Sequence, residues 1–399
     1  MTNPDPIAVP LPGCTTDDPA PGARALRRAR WATRGLFASL GVLAGAWGAH
    51  IPSVQAKYQL DPAMLSTVLL AAACGALLSL FFAGRLIGRI GVRRAAPLAA
   101  LVMGSMLALA LTWPGLALLL PAMVVFGAAM SLFDVAINAE GTALESLSGR
   151  AVMSNLHGMF SVGGMAGAAL VAALLRAGVA PLAQLAGIGL FVAALAVAAS
   201  RGMLDAHPHD DEPKAHFAWP RGLLLLIGLL IFAGMTAEGV MYDWCVLYLK
   251  QEVGMPQAQA ALGYATFSAA MALARFGADA LRARYPERWL LSGGALLSAL
   301  AMAVVLLSGH PGVSLVGYAL VGAGLAPVVP ILYNAATKVP GTSRAAAIAS
   351  VSSIGYAGFM IGPPLIGSIA QVASLTAAMA VVVVAAVLLA LGARRAAPN

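Results

Sequence analysis

A series of apolar segments, each about 20 residues long, constrains the fold of this chain more than any other feature. Apolar residues occupy 60% of its 399 positions and charged residues only 10%, whereas about a quarter of the residues in soluble proteins are charged. A helix needs about 20 apolar residues to cross a bilayer. Segments of this length begin near Thr33, Met64, Arg93, Gly115, Ala151, Pro181, Arg221, Ala258, Trp289, Gly312, Ser343 and Ser374.

These continuous runs predict an all-α membrane protein with twelve transmembrane helices. Only helices and closed barrels satisfy their backbone groups in lipid, and barrel strands would alternate apolar and polar residues. The polar residues 201–218 divide the chain after the sixth segment. We expect six-helix bundles over 31–200 and 219–393, joined by a cytoplasmic linker over 201–218, with a disordered cytoplasmic tail over 1–30 and a short one over 394–399.

The formal net charge of +8 follows membrane topology and does not indicate a nucleic-acid partner. If the N-terminus is cytoplasmic and twelve helices follow, 21 of the 24 lysines and arginines fall on the cytoplasmic side or just within it. Only Lys57, Arg176 and Lys250 fall on the outer side. The positive-inside rule then places both termini in the cytoplasm.

Cofactor sites are not indicated. The His, Asp and Glu residues of 201–218 could be imagined as a metal site, but Pro208 and Pro213 and the lack of hydrophobic anchors favour a solvated linker. The cysteines have no metal-binding spacing. The chain has no P-loop, which argues against ATP-driven transport, and no zinc-spaced histidine pair or nucleophile elbow, which argues against an enzyme.

Ionisable residues inside the apolar segments point to function, because each is costly unless it is paired or hydrated. Asp134 lies deep in the fourth segment, with Asn138 one turn further on the same face. His157 lies at a comparable depth in the fifth segment. Asp134 could exchange a proton during a transport cycle and Asn138 could contact the substrate. Alternatively, Asp134 could pair with His157 or an arginine and only hold helices together.

The seventh segment carries a second polar group. Glu238 and Tyr242 share a face. Glu238 could assist proton coupling, and Tyr242 and Trp244 could stack on sugars or aromatic ligands. The alternative is an aromatic belt at the outer membrane interface. Arg275 and Asp279, one turn apart on the eighth segment, are expected to neutralise each other.

Further polar residues could complete a substrate cavity. Tyr333 and Asn334 follow glycines and prolines that should bend the tenth segment. Trp47, near His50 in the first segment, could line the entry or anchor the interface.

The hairpin between the second and third segments carries four arginines in the eleven residues 84–94. Its spacing resembles a loop of the major facilitator superfamily with the pattern Gly-x-Leu-x-Asp-Arg-x-Gly-Arg-Arg, and Gly88 replaces the aspartate. The resemblance implies gating, in which arginines clamp the hairpin to neighbouring helix ends, more weakly without the aspartate. The gating residues are Gly84, Arg89, Gly91, Arg93 and Arg94.

The run from Asp134 to Asn138 resembles the acid-x-Ala-x-Asn pattern of the fucose permease branch, which are proton-coupled sugar importers. The segments 157–161 and 362–367 are similar to uncharacterised bacterial inner-membrane permeases near that branch. The resemblance implies two pseudo-symmetric six-helix bundles in a bacterial cytoplasmic membrane, with Asp134 as the proton-linked acid. Gly48 stands where fucose permeases carry a second acid.

The sequence therefore predicts a monomeric secondary transporter that moves a small organic solute by alternating access. Proton-coupled symport of a polar, sugar-like substrate is the first interpretation, with His157 or Glu238 assisting Asp134. A proton-coupled drug or metabolite efflux antiporter is the alternative, although Val162-Gly163-Gly164 lacks the proline usual in such antiporters. A non-transporting membrane sensor or scaffold is a third possibility.

Overall fold

A computed structural model describes residues 22–150, 152–205, 207 and 220–396 of the chain. Helices are the only regular secondary structure in these residues. The helices are α1 (Ala23–Tyr58), α2 (Pro62–Ile90), α3 (Val92–Leu109), α4 (Leu116–Ser148), α5 (Met153–Arg176), α6 (Pro181–Ser200), α7 (Leu223–Gln251), α8 (Gln257–Arg284), α9 (Glu287–Ser308), α10 (Pro311–Leu325), α11 (Val328–Ala336), α12 (Arg344–Val372) and α13 (Leu375–Ala396).

The predicted twelve-helix architecture is confirmed. Eleven helices in the described residues are long and apolar enough to cross a membrane, with α10 and α11 counted as one span. The twelfth is α8, which is 28 residues long but too polar to meet the same criterion. It packs between α5 and α10, so its polar side chains can face protein rather than lipid.

The tenth span is broken at the expected place. Its first part ends at Leu325 and its second begins at Val328. Pro327 lies at the break and Pro330 in the first turn of α11. A proline lacks the N–H of the helix ladder and clashes with the preceding turn, which accounts for the interruption.

Helix pairing gives two pseudo-symmetric bundles. In α1–α6, the closely packed pairs are α1 with α5, α2 with α4, and α3 with α6. The equivalent pairs in α7–α13 are α7 with α12, α8 with α10, and α9 with α13. The bundles meet where α5 packs on α8 and where α2 packs on α12, and these two contacts are equivalent under the same pseudo-symmetry. Helix α1 also contacts α7 and α8 of the second bundle.

Glycines on α5 lie at contacts within the first bundle and at contacts between the two bundles. A Cβ at Gly163 or Gly167 would lie 2.0 or 2.2 Å from a carbonyl oxygen of α1, so these glycines permit close packing inside the first bundle. Gly158 instead faces the ring of Phe276 on α8, and Gly164 faces Tyr264. The glycines of α5 therefore lie between the bundles only along part of this helix.

The structure differs from the sequence expectation at the ends of the bundles. α1 begins at Ala23, so residues 23–30 form helix and do not belong to the expected tail. α13 continues to Ala396. Residues 1–21 and most of the linker, 206 and 208–219, lie outside the described residues.

Candidate functional site

The candidate site lies between the bundles. We call the side of the molecule where α1 begins and α13 ends the termini side, and the other side the far side. On the far side α2 packs on α12, where Gly367 meets Ser66. In the described residues, α4 and α12 make no comparable contact on the termini side. The Tyr356 side chain of α12 is accordingly 43% exposed, although it lies within electrostatic range of Asp134 on α4.

Asp134 has one side-chain partner in the described part of the chain. The Asn138 amide nitrogen donates to its Oδ1 at 3.0 Å and to its backbone oxygen at 2.9 Å. Both accepting atoms are oxygens, so the Asn138 carbonyl oxygen must point away from them. The other Asp134 carboxylate oxygen and the Asn138 amide oxygen accept no hydrogen bond in the described residues, so both can accept from a ligand. The alternative pair of Asp134 with His157 or an arginine is not formed in the described residues.

The second bundle contributes hydroxyl groups opposite this acceptor face. The hydroxyl groups of Tyr333 on α11 and Ser352 on α12 lie 2.8 Å apart. Tyr356 lies within electrostatic range of Tyr333 as well as Asp134. Tyr333, Ser352 and Tyr356 therefore form a group of hydroxyl side chains on the second bundle, of which the sequence analysis named only Tyr333.

A buried polar network forms the other half of the site. The Glu238 carboxylate accepts from the Tyr242 hydroxyl at 3.0 Å and from Arg275 Nη2 at 3.1 Å. Arg275 Nη1 donates to the hydroxyl of Ser161 on α5 at 2.9 Å. The side chains of Arg275 and Glu238 are 13% and 10% exposed. One guanidinium thus joins α7 and α8 to α5 of the other bundle.

This network gives Arg275 a partner that the sequence did not predict, whereas the side chain of its expected partner, Asp279, lies outside the described residues. Its acid partner in the described structure is Glu238, 37 positions earlier in the chain. The sequence signal was present, because Arg275 is a lone base in an apolar stretch. The partner could not be selected, since several acids lie at similar depth.

His157 lies near this network but does not bond to Asp134. Its ring packs edge-on against Phe37 at 5.4 Å, and it lies within electrostatic range of Arg275. Its side chain is exposed, so it borders the open space between the bundles.

Aromatic rings surround Tyr242. The ring centroids of Tyr264 and Phe267 on α8 lie 5.3 and 5.4 Å from that of Tyr242, and the centroid of Phe160 on α5 lies 6.4 Å away. A Cβ at Gly48 would lie 2.7 Å from the Tyr264 ring and 2.9 Å from the Tyr242 carbonyl. There is no room for an acidic side chain at this position of α1.

Three predicted substrate residues do not line this space. Trp244 is 1% exposed, because two positions along a helix rotate it away from Tyr242. Trp47 packs against Phe126 inside the first bundle, with centroids 5.6 Å apart. The Asn334 amide donates to the Glu287 carboxylate at 3.0 and 3.2 Å, so its donors are used at the start of α9.

The predicted gating residues lie in and next to the hairpin that joins α2 to α3. Gly91 has φ +79° and joins α2 to α3 in one residue, which favours glycine. Arg93 donates to the carbonyls of Ser200 and Arg201, both at 3.2 Å, and pairs with Asp205.

The other hairpin residues make weaker contacts than expected. In the described residues, Arg89 and Arg94 are exposed and make no hydrogen bond or ion pair. A Cβ at Gly84 or Gly88 would meet nothing within 4 Å. The clamp to the end of α6 therefore depends on Arg93.

Glu140 on α4 is a buried acid with partners in the chain that follows α6. Its side chain is 0% exposed and accepts from the Leu204 backbone N–H at 2.8 Å and from His207 Nε2 at 2.6 Å. It attaches the segment that follows α6 to α4. Within the described residues, no group of three His, Cys, Asp or Glu side chains could hold a metal ion.

Comparison with known proteins finds one matching family profile and relatives that align over most of the chain. The Major Facilitator Superfamily profile matches residues 224–398. An uncharacterised MFS-type transporter of Yersinia pestis is 37% identical over 348 residues, which span 87% of this chain and 90% of the relative. The membrane protein MosC of Rhizobium meliloti is 31% identical over 360 residues, spanning 88% and 86%.

Solved structures share the fold at low identity. FucP, the E. coli fucose:proton symporter, superposes in its outward conformation with a TM-score of 0.66 at 17% identity, covering 94% of this chain and all of FucP. The nucleoside transporter NupG gives a TM-score of 0.70 at 13% identity, covering 92% and 98%.

Proposed function

Because this chain belongs to the major facilitator superfamily, we propose that it is a proton-coupled symporter of a small, polar, sugar-like solute. The transport of a small molecule across a bilayer follows from the family. The observation that carries the proposal is Asp134, a carboxylate between the bundles whose only side-chain partner in the described residues is the Asn138 amide. Such an acid can gain or lose a proton without breaking an ion pair.

The two intramembrane acids would have different roles. Asp134 would take up and release the coupled proton. Glu238 is engaged by Arg275 and Tyr242, so it would assist only when that network rearranges. Gly48 has no room for the second acid that fucose permeases carry on the first helix, and Glu238 on α7 would be the nearest functional substitute. His157, exposed beside Arg275, would assist proton movement.

The substrate would bind with its hydroxyl groups toward α4. Asp134 and Asn138 offer acceptor oxygens, which suit a ligand that brings donors. Tyr242 and the hydroxyl pair of Tyr333 and Ser352 would contact its other face. FucP is a fucose:proton symporter, and its shared fold is compatible with a sugar-like solute here.

We further propose a bacterial cytoplasmic membrane with both termini in the cytoplasm. The distribution of lysine and arginine supports this orientation, and the termini side is then the cytoplasmic side. The site would be reached from the cytoplasm in the state described here. Each monomer contains both bundles and would function alone.

Ligand-induced thermal stabilisation of the purified protein tests the proposal. Neutral sugars, sugar acids and lipophilic cations are screened at pH 6 and pH 8 with the parent chain, Asp134→Asn and, as a matched control on the same helix, Glu145→Gln. Stabilisation by a neutral sugar that depends on pH in the parent and in Glu145→Gln, but not in Asp134→Asn, supports the proposal.

Other outcomes would contradict parts of it. Stabilisation by lipophilic cations alone would favour efflux. A pH dependence that survives in Asp134→Asn would leave Asp134 with a structural role. The ligand is then tested for counterflow in proteoliposomes, and binding without counterflow would favour a sensor.

A further inference from the structure

The far side of the molecule is closed by a hydrogen-bond chain that includes a buried histidine and ends at Lys250, whose Nζ lies 3.5 Å from the Gln257 side-chain oxygen. The Gln257 side-chain nitrogen on α8 donates to the Ser53 hydroxyl at 2.8 Å and to the Ala49 carbonyl at 3.0 Å. Both acceptors belong to α1 of the other bundle. Next to them, Gln251 on α7 donates to the Gln55 side-chain oxygen at 2.8 Å.

The chain continues into the first bundle through His50. Ser53 Oγ lies 3.1 Å from His50 Nδ1, and His50 Nε2 lies 3.2 Å from the side-chain oxygen of Gln184 on α6. The Gln184 nitrogen donates to the Val179 carbonyl at 2.8 Å. His50 and Gln184 are 0% and 2% exposed, so the polar atoms depend on one another.

With a neutral His50 ring, the bonds from Val179 to Gln257 each have one direction. The Val179 carbonyl can only accept, which fixes the Gln184 amide with its oxygen toward His50. That oxygen can only accept, so His50 Nε2 carries the proton and Nδ1 of the neutral ring is an acceptor. The Ser53 hydroxyl then donates to Nδ1 and keeps its oxygen lone pairs for Gln257. His50 therefore sets the orientation of the group that receives the bond between the bundles.

We propose that Gln257 and Ser53 form a latch that holds the far side closed, and that His50 and Gln184 position it. Of the described bonds in this chain, those of Gln257 and Gln251 cross between the bundles, so these are the ones that break when the far side opens. The His50 and Gln184 bonds stay within the first bundle and keep Ser53 ready to re-form the contact. The role in a transport cycle rests on the proposed function, whereas the latch itself can be observed without transport.

Distance measurement by double electron–electron resonance tests the latch. Spin labels are placed at the exposed Lys57 on α1 and Gln259 on α8, in a background where Cys14, Cys74 and Cys245 are replaced by alanine. Gln257→Leu should raise the ratio of open to closed far-side distances about tenfold, equivalent to about 1.4 kcal/mol. Gln371→Leu is the matched control, since Gln371 is exposed on the same side and makes no hydrogen bond in the described residues.

Two substitutions at His50 test whether its ring positions the Ser53 hydroxyl or only fills space in the core. His50→Asn keeps an acceptor near the place of Nδ1 and should leave the closed distance dominant. His50→Gln keeps a donor toward Gln184 but removes the acceptor for Ser53, and it should open the far side. Equal distance distributions for these two variants would overturn the positioning role of His50.

If Gln257→Leu fails to fold, Ser53→Ala still tests the latch. This smaller change removes only the hydroxyl group that accepts from Gln257. An unchanged distance distribution in folded Gln257→Leu or Ser53→Ala, verified by thermal unfolding, would overturn the latch. A latch that opens as expected in a protein without solute transport would contradict the proposed function and leave the latch intact.

Discussion

The Arg275 guanidinium lies 3.1 Å from the Glu238 carboxylate, and the same guanidinium bonds to Ser161 of the other bundle. One buried base therefore links an ion pair within the second bundle to a contact between the bundles. The rearrangement of α5 against α8 and the protonation of Glu238 would act on the same side chain. This gives the two bundles a physical connection at the level of the candidate site.

Removing one partner of this pair should destabilise the protein strongly. Glu238→Gln leaves Arg275 buried without its counter-charge, and breaking a buried pair in this way costs about 3–5 kcal/mol. Thermal unfolding in detergent measures the effect. The double variant Glu238→Gln with Arg275→Met should recover part of the loss, because it leaves no unpaired charge. A double variant less stable than Glu238→Gln would contradict the pairing.

The Asn138 amide should support ligand binding through Asp134. Asn138→Ala removes the bond that orients the Asp134 carboxylate, and a loss of about 1.4 kcal/mol would weaken binding about tenfold. The dissociation constant of the ligand found by thermal shift measures this. Asn155→Ala is the control, since the Asn155 oxygen accepts from Arg34 at 3.0 Å away from the site. Equal losses in both variants would argue against a specific role.

A side chain at Gly158 should obstruct the seam between the bundles. A Cβ there would lie 2.5 Å from the Phe276 ring, and overpacking of this kind costs about 1–3 kcal/mol. Gly158→Val is expected to fold but to lose most solute counterflow in proteoliposomes. Gly187→Val is the control, because a Cβ at Gly187 meets nothing within 4 Å. Normal counterflow in Gly158→Val would show that transport does not require movement at this contact between α5 and α8.

Glu140 should hold the start of the linker against α4. Glu140→Ala leaves the buried Leu204 N–H without its acceptor, a loss worth about 1–3 kcal/mol. Limited trypsin digestion should then cleave at Arg201 several times faster than in the parent. Glu145→Ala, on the same helix, makes no side-chain hydrogen bond in the described residues and should leave the rate unchanged. An unchanged rate in both variants would show that Glu140 does not secure this segment.

Local properties of the sequence determined the spans and one half of the site. Helix length in lipid follows from the number of consecutive apolar residues, so twelve spans could be counted without tertiary information. Asp134 and Asn138 are four residues apart, and helix geometry alone places them on one face. Glu238 and Tyr242 were paired correctly by the same argument. The interruption near Pro327 followed from the missing proline N–H.

Only the tertiary structure decided which side chains meet between helices. Arg275 pairs with Glu238, 37 positions earlier in the chain, and the donors of Asn334 are used by Glu287, because packing determines which helix faces meet. Trp244 is two residues from Tyr242 but is almost fully buried. The latch joins residues 204 positions apart, Ser53 and Gln257. Such pairings depend on how the two bundles dock, and no local periodicity of the chain encodes that arrangement.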